Sequence, residues 1–425
     1  MGLILAGCGS DEAPVAPPAN RAPTIQFTFG KFAVETVAPV TFTAVVDDPD
    51  GDPVTVTWDV TRGGNPSGLP PSGTGTSFTW ESPPAVGEDL ITVTVSDDKG
   101  LQRTVTQTLK IGTVVTADVT GVATWVLTRS PYIVRPAGST FAVGSQANLT
   151  IAQGVEVYID KPALDFQIGG GLVAAGVSGT PVIIRPNSRT ATAGDWEGIS
   201  AVPSGPPPQV DLHFTEISHA KNALHTINPS VATLDGCTIT LCSAAAILHE
   251  SSGALSVTNT SITSNNSSGI KVQTGALPVS ITIQGNSITF NGDLTTPNGE
   301  AGISLNFNDP TASVPITISD NTISRNFIPG ISLGDPGTAT MTALYPVISN
   351  NNLSGNQFGK ASPPRFNLVL QPDFIGSFQT VDVRNNWWGA TDSTSIKATI
   401  QDAWDFNFNK IDVQAWITPW LQAAP

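Results

Sequence analysis

The sequence predicts an all-β protein in two parts: a small antiparallel sandwich, then a long parallel β-helix ending in an aromatic cap. Two observations predict it. Residues 23–112 show apolar and polar residues alternating in short runs rich in Val and Thr, separated by turn signals about ten residues apart. After Trp125 a short motif with a central aliphatic recurs, and no helical period accompanies it.

Composition bounds the rest. The 425 residues carry a net charge of -15, only 12% charged side chains, 40 Gly and 34 Pro, with 40% hydrophobic residues, enough for a real core. No basic block exists to displace counterions from phosphates, which excludes nucleic acid as a partner. No apolar run is long enough to cross a bilayer as a helix. With three cysteines in so long a chain, the fold must rest on packing and hydrogen bonds.

Leu5-Ala6-Gly7-Cys8 resembles a bacterial lipobox, with small residues before a cysteine that becomes acylated. The resemblance implies that residues 1–8 are the end of a truncated lipoprotein signal and that Cys8 is the lipidation site. It places the protein in the bacterial cell envelope, at the outer membrane or cell surface. Residues 9–22, rich in Pro and Ala, then read as a semi-extended linker.

In the first domain the strands are expected at Val40–Val46, Val54–Val60, Ser77–Trp80, Leu90–Val95 and Arg103–Ile111. Asn20-Arg21-Ala22-Pro23, Asp47-Asp48-Pro49-Asp50-Gly51-Asp52, Trp58 and Val93 to Gly100 resemble immunoglobulin-like modules of the polycystic-kidney-disease (PKD) or cadherin-like kind. With the strand order of that family, the loops bearing Asp47, Asp48, Asp50, Asp52, Asp97 and Asp98 meet at one end of the sandwich. Six carboxylates in a small volume call for a cation, and calcium accepts six to eight oxygen ligands. Asp-Pro-Asp-Gly is equally a tight-turn sequence for backbone reasons alone.

In the second domain, residues 113–425, the recurring apolar residues are Ile217, Ile239, Ile262, Ile288, Ile323, Leu353 and Trp387, at steps of 22, 23, 26, 35, 30 and 34. A floor near 22 with variable excess is the mark of a solenoid with loop insertions. A second aliphatic follows each of the first six: Leu224, Ile247, Ile270, Ile303, Ile331 and Leu368. Two positions before the first stand Thr215, Cys237, Thr260, Asn286, Asn321, Asn351 and Asn385; three positions after it stand Ala220, Cys242, Asn265, Asn291, Asn326 and Asn356. Asparagine tolerates left-handed geometry and its amide bonds along a stack, so both columns are expected to form ladders at corners. Cys237 and Cys242 fall in different columns of one coil, too far apart for a disulfide, and are expected to be reduced, buried and inert.

The C-terminal Trp residues from Asn385-Asn386-Trp387-Trp388-Gly389 to Trp420, with a helix-like stretch from Thr394 to Trp404, are expected to close the last coil. The opening coils are expected in Val143–Val157 and around Trp196. These features resemble right-handed parallel β-helix repeat proteins of the pectate-lyase-like superfamily. That resemblance implies the fold and leaves activity open, since the superfamily includes lyases, hydrolases and adhesins.

Clustered acids for glycoside hydrolysis are missing from the repeats. The residue after each second aliphatic is expected to point outward, in the row His225, Leu248, Lys271, Ser304, Ser332 and Val369, with Glu250, Gln273 and Asn306 two positions further on. His225, Glu250 and Lys271 are the catalytic candidates should the protein be an enzyme, and Lys271, Gln273 and Asn306 are candidates for contact with a glycan. The leading expectation is a surface-anchored, non-enzymatic binding or adhesive protein offering a β-helix face to a glycan or protein partner. A divergent polysaccharide lyase or glycoside hydrolase is the second reading, and a structural envelope component the third.

Overall fold

The computed structural model describes residues 19–62, 72–274, 279–293, 300–307, 315–334, 346–359, 365–370, 379–401 and 413–425. Two compact units emerge. The first comprises residues up to 29 with 39–83 and 89–108; the second comprises 30–38, 84–88 and 109–425. Cys8 and Trp404 lie outside the described residues.

In the first unit, strand Pro39–Asp47 pairs antiparallel with Thr24–Phe27 on one side and Ser77–Glu81 on the other. Val54–Val60 pairs antiparallel with Gly87–Asp97 and with Ser72–Thr74. Alternation turns Phe42, Trp58, Phe78 and Trp80 inward, and the rings of Phe42 and Trp58 lie 6.1 Å apart. Each such aromatic removes a large apolar area from water. Thr24–Phe27 and Ser72–Thr74 are strands that the alternation did not reveal.

Among the described residues the second unit is a stack of coils built on three sheets, whose strands pair parallel from one coil to the next. A first sheet contains Val231–Asp235, Leu255–Thr258, Ile281–Gln284 and Ile316–Ser319. A second contains Thr238–Thr240, Ser261–Thr263, Ser287–Thr289 and Thr322–Ser324. A third contains Leu224–Ile227, Ile247–Glu250, Ile270–Thr274, Ile303–Phe307, Ile331–Leu333 and Leu368–Leu370. Ile239, Ile262, Ile288 and Ile323 are in register and 0% exposed, one internal file; the second aliphatics form another. Burying each contributes roughly 1.5–3 kcal/mol. Among the described residues the one α-helix is Ser393–Lys397, N-capped by Asp392, whose Oδ1 accepts the Ser395 N–H at 2.9 Å.

Both asparagine ladders form. In the first column the side-chain Nδ2 of Asn286 donates to Asn321 Oδ1 (2.9 Å), Asn321 to Asn351 (2.9 Å) and Asn351 to Asn386 (3.0 Å). In the second, Asn265 donates to Asn291 (2.8 Å), Asn291 to Asn326 (3.1 Å), Asn326 to Asn356 (2.9 Å) and Asn356 to Asn367 (3.1 Å). Two details differ from the sequence reading. The last member of the first column is Asn386, not Asn385, because Trp388 is the inward residue at 2% exposure and Trp387 is shifted by one. The left-handed backbone also falls one residue before each ladder position: Asp320, Asn350 and Asn385 precede the first column, and Ser264, Phe290 and Arg325 the second. The corner is made by the preceding residue, leaving the asparagine amide free to bond along the stack.

Candidate functional site

At the sandwich end, the acidic loops converge in part. Carboxylate oxygens of Asp48, Asp52 and Asp97 lie within 4.8 Å of one another. Asp48 Oδ1 accepts the N–H groups of Asp50 (2.9 Å) and Asp52 (3.1 Å), whereas its Oδ2 is buried without a partner. Asp97 accepts from Asn20 Nδ2 at 2.8 Å and from the Lys99 and Leu101 N–H groups at 2.9 and 2.8 Å. Burial pushes its acidity down, but these donors more than offset that and hold its pKa below the usual carboxylate value.

The other acids are placed differently. Asp50 is taken up by Arg21, whose backbone N–H and guanidinium both donate to it and hold its pKa low. Asp47 and Asp98 are exposed. Lys99 Nζ sits 2.7 Å from Asp52 Oδ2, and that bond raises the lysine pKa. The cluster is therefore three carboxylates with one lysine at its edge. Asp48 Oδ2 and Asn20 Oδ1 are both buried without a hydrogen-bond donor. An all-oxygen set of this kind fits a calcium ion.

On the third sheet the expected row exists in register, with His225 opposite Leu248, Leu248 opposite Lys271 and Lys271 opposite Ser304. His225 Nε2 donates to Glu250 Oε2 at 2.8 Å. Lys271 is not part of that pair: its ammonium lies 2.6 Å from Glu300, a carboxylate that also accepts from Ser267 and Ser268. Burial pushes the Glu300 pKa up, and the Lys271 and Ser268 hydrogen bonds bring it below normal. The outward row is not an open face, since Ser304, Ser332 and Val369 are only 0%, 1% and 5% exposed. Asn306 is buried too, with its amide nitrogen directed at the Leu305 and Gly334 carbonyls, while Gln273 remains half-buried. Glu300, the partner of Lys271, was invisible to column reasoning because it belongs to the corner before its strand.

Two buried features bear on chemistry. His249, one residue before Glu250, points into the coil interior: Nδ1 lies 2.7 Å from Thr226 Oγ1 and Nε2 3.2 Å from the Gly253 carbonyl. A carbonyl only accepts, so Nε2 carries the proton and Nδ1 accepts the threonine hydroxyl. Burial drives the pKa of this imidazole down to about 4. Cys237 and Cys242 are free and buried, and burial pushes their thiols up to about 11 and about 12. They have none of the thiolate character that reactivity needs.

The second sheet carries the most regular surface. Each of its strands Thr238–Thr240, Ser261–Thr263, Ser287–Thr289 and Thr322–Ser324 turns an isoleucine inward and its first and third residues outward. The outward positions are eight hydroxyl side chains in two columns, with no charge among them. Thr289 Oγ1 donates to Thr263 Oγ1 at 3.3 Å; Thr238, Thr240, Ser261, Ser287, Thr322 and Ser324 make no side-chain hydrogen bond among the described residues. At the corner that follows, Phe290 (38% exposed) and Phe358 (50% exposed) meet edge to face at 6.5 Å, and Phe327 lies 6.0 Å from Phe358. The sequence carries this face as Thr-Ile-Thr and Ser-Ile-Thr triplets, whose buried isoleucines are the stronger signal and mask the hydroxyls beside them.

Family comparison agrees with this architecture. The model described as PKD domain matches residues 24–109, and the model described as Right handed beta helix region matches residues 222–366. No curated protein and no solved structure matches the chain. Antiparallel strands around Trp58, and parallel files around Ile239 to Ile323, are what these two matches require, and the chain carries a PKD domain followed by a right-handed β-helix region.

Proposed function

We propose that the protein is a surface-anchored, non-enzymatic binding or adhesive protein of the bacterial cell envelope. A PKD domain joined to a right-handed β-helix is consistent with a surface or adhesion-type protein. In this reading a lipid on Cys8 holds the chain to the membrane, the PKD domain is a spacer, and the β-helix offers a face to a glycan.

The observation that carries the reading is the hydroxyl face from Thr238 to Ser324 with Phe290 and Phe358 at its corner. A hydroxyl-lined sheet face edged by exposed aromatics suits recognition of a sugar; acid-base hydrolysis needs carboxylates that converge on one bond. The group of three converging acids found among the described residues lies in the PKD domain. On the third sheet, the Lys271 ammonium and the Asn306 amide are committed within the protein, which moves the proposed contact to the second sheet.

The test is a glycan array on the chain from Ala22 onward, run beside a polyuronide depolymerisation assay with and without calcium. Array binding without product formation supports the reading; rapid release of product overturns it in favour of a lyase or hydrolase.

Calcium belongs to the same proposal. Asp48, Asp52, Asp97 and the Asn20 side-chain oxygen would hold it, and the ion would supply the positive charge that Asp48 Oδ2 lacks. Melting temperature measured against added chelator tests this: a fall supports the site, and an unchanged value removes it.

A further inference from the structure

Resting on the binding reading above, we infer that the second-sheet face takes a neutral polysaccharide, a chain of uncharged pyranoses, and not a polyuronide.

The argument starts from charge. Over four coils the outward positions are Thr238, Thr240, Ser261, Thr263, Ser287, Thr289, Thr322 and Ser324, and none is ionisable. A polyuronide presents a carboxylate on every sugar and needs cations opposite them. This face has none, and the chain as a whole carries -15, which adds a repulsive field. Of the two adjoining left-handed corner columns, the one after the strands (Leu241, Ser264, Phe290, Arg325) carries one guanidinium and the one before them (Asn259, Gly285, Asp320) one carboxylate. A neutral sugar meets no such repulsion here.

Geometry and chemistry point the same way. Coils repeat at about 4.8 Å, and outward residues of one strand stand about 6.6 Å apart, giving a shallow grid of hydroxyls that both donate and accept. Six of the eight make no side-chain hydrogen bond among the described residues, so they can bond sugar hydroxyls without breaking anything. The apolar C–H face of a pyranose packs on aromatic rings, and the half-exposed Phe358 with Phe290 supplies such rings at the edge of the grid. The two observations are independent: uncharged hydroxyls set the neutral class, and exposed rings select sugar over water alone.

The experiment uses the full chain. Retention is measured on insoluble cellulose, on insoluble chitin and on immobilised polygalacturonate, for the wild type, Phe358→Ala and Ser287→Glu. Both altered side chains are exposed, and melting temperature verifies that each variant keeps the fold. The expected result is retention on one or both neutral polymers and none on polygalacturonate, with each variant weakening retention by about tenfold. Retention on polygalacturonate alone, or neutral retention that both folded variants leave unchanged, overturns the inference and leaves the binding reading standing. No retention on any of the three also overturns it, and the glycan array then decides the broader reading separately.

Discussion

Asn286 and Asn321, separated by 35 positions in the chain, are direct neighbours: the Asn286 side-chain nitrogen donates to Asn321 Oδ1 at 2.9 Å, and the Asn286 backbone N–H donates to the same oxygen at 2.8 Å. Asn321 in turn donates to the Ile283 carbonyl and to Asn351. One buried amide thus satisfies groups on the coils either side of its own.

Replacing Asn321 with Leu strips partners from two buried donors on Asn286 and from the Ile283 carbonyl. Each unsatisfied group costs about 1–3 kcal/mol. Loss of at least about 3 kcal/mol is expected in urea unfolding, whereas Asn350→Gly, at a corner with φ of 58°, should be neutral or mildly stabilising because glycine reaches that conformation without strain. A ladder that carries no stability would give equal midpoints for Asn321→Leu and wild type.

His249 makes stability depend on pH. Its folded pKa of about 4 lies below the free value of 6.5, so protonation favours the unfolded chain. The contribution is fully present above about pH 6.5, declines as the pH falls toward 4, and amounts to on the order of 3 kcal/mol. Measured at pH 7 and pH 4.5, the wild type should lose clearly more stability than the double variant Thr226→Val, His249→Leu, which removes both partners together. Equal losses in the two proteins would exclude His249 as the cause.

The thiols of Cys237 and Cys242 should resist alkylation in the native protein at pH 8 and react at once in denaturant. Their raised pKa values of about 11 and about 12 leave almost no thiolate, and burial denies access. Rapid native-state labelling would mean that this coil opens readily.

Glu300 and Lys271 form a largely buried ion pair, with side chains 13% and 22% exposed. Lys271→Met leaves the carboxylate without its cation and is expected to destabilise by roughly 2–4 kcal/mol at pH 7. The Glu300 pKa is held below its ordinary 4.5, so the pair contributes above that value and is lost as pH falls through the lowered one. The difference between wild type and Lys271→Met should therefore shrink in acid, which paired denaturation curves at pH 7 and pH 3 would reveal.

The fold was legible in the sequence because a solenoid writes its core periodically. Ile239, Ile262, Ile288 and Ile323 lie in one file since each coil meets only its neighbours, and a repeating environment demands a repeating residue. Legibility failed where the period stops. The repeat points to Trp387, one place off, because the Asn385-Asn386 pair fits the ladder in either register, and only packing makes Trp388 the inward side chain. Thr24–Phe27 shows too little alternation to announce itself as a strand. Site residues were harder still. Glu300 reaches Lys271 from a corner whose length varies between coils, and His249 resembles a surface residue until the inward phase of its strand is known.

The spacing between first and second aliphatics has a practical meaning. It is 8 residues from Ile239 to Ile247 and 15 from Ile288 to Ile303, yet Ile247 and Ile303 occupy the same file at 0% exposure. The amide bonds at Asn265 and Asn291 close each coil before that stretch begins. Foreign peptide spliced within residues 294–299, short of Glu300 and its bond to Lys271, enlarges a segment that already varies in length, so this corner is a cassette in which an epitope or tag can be carried while the rungs stay locked.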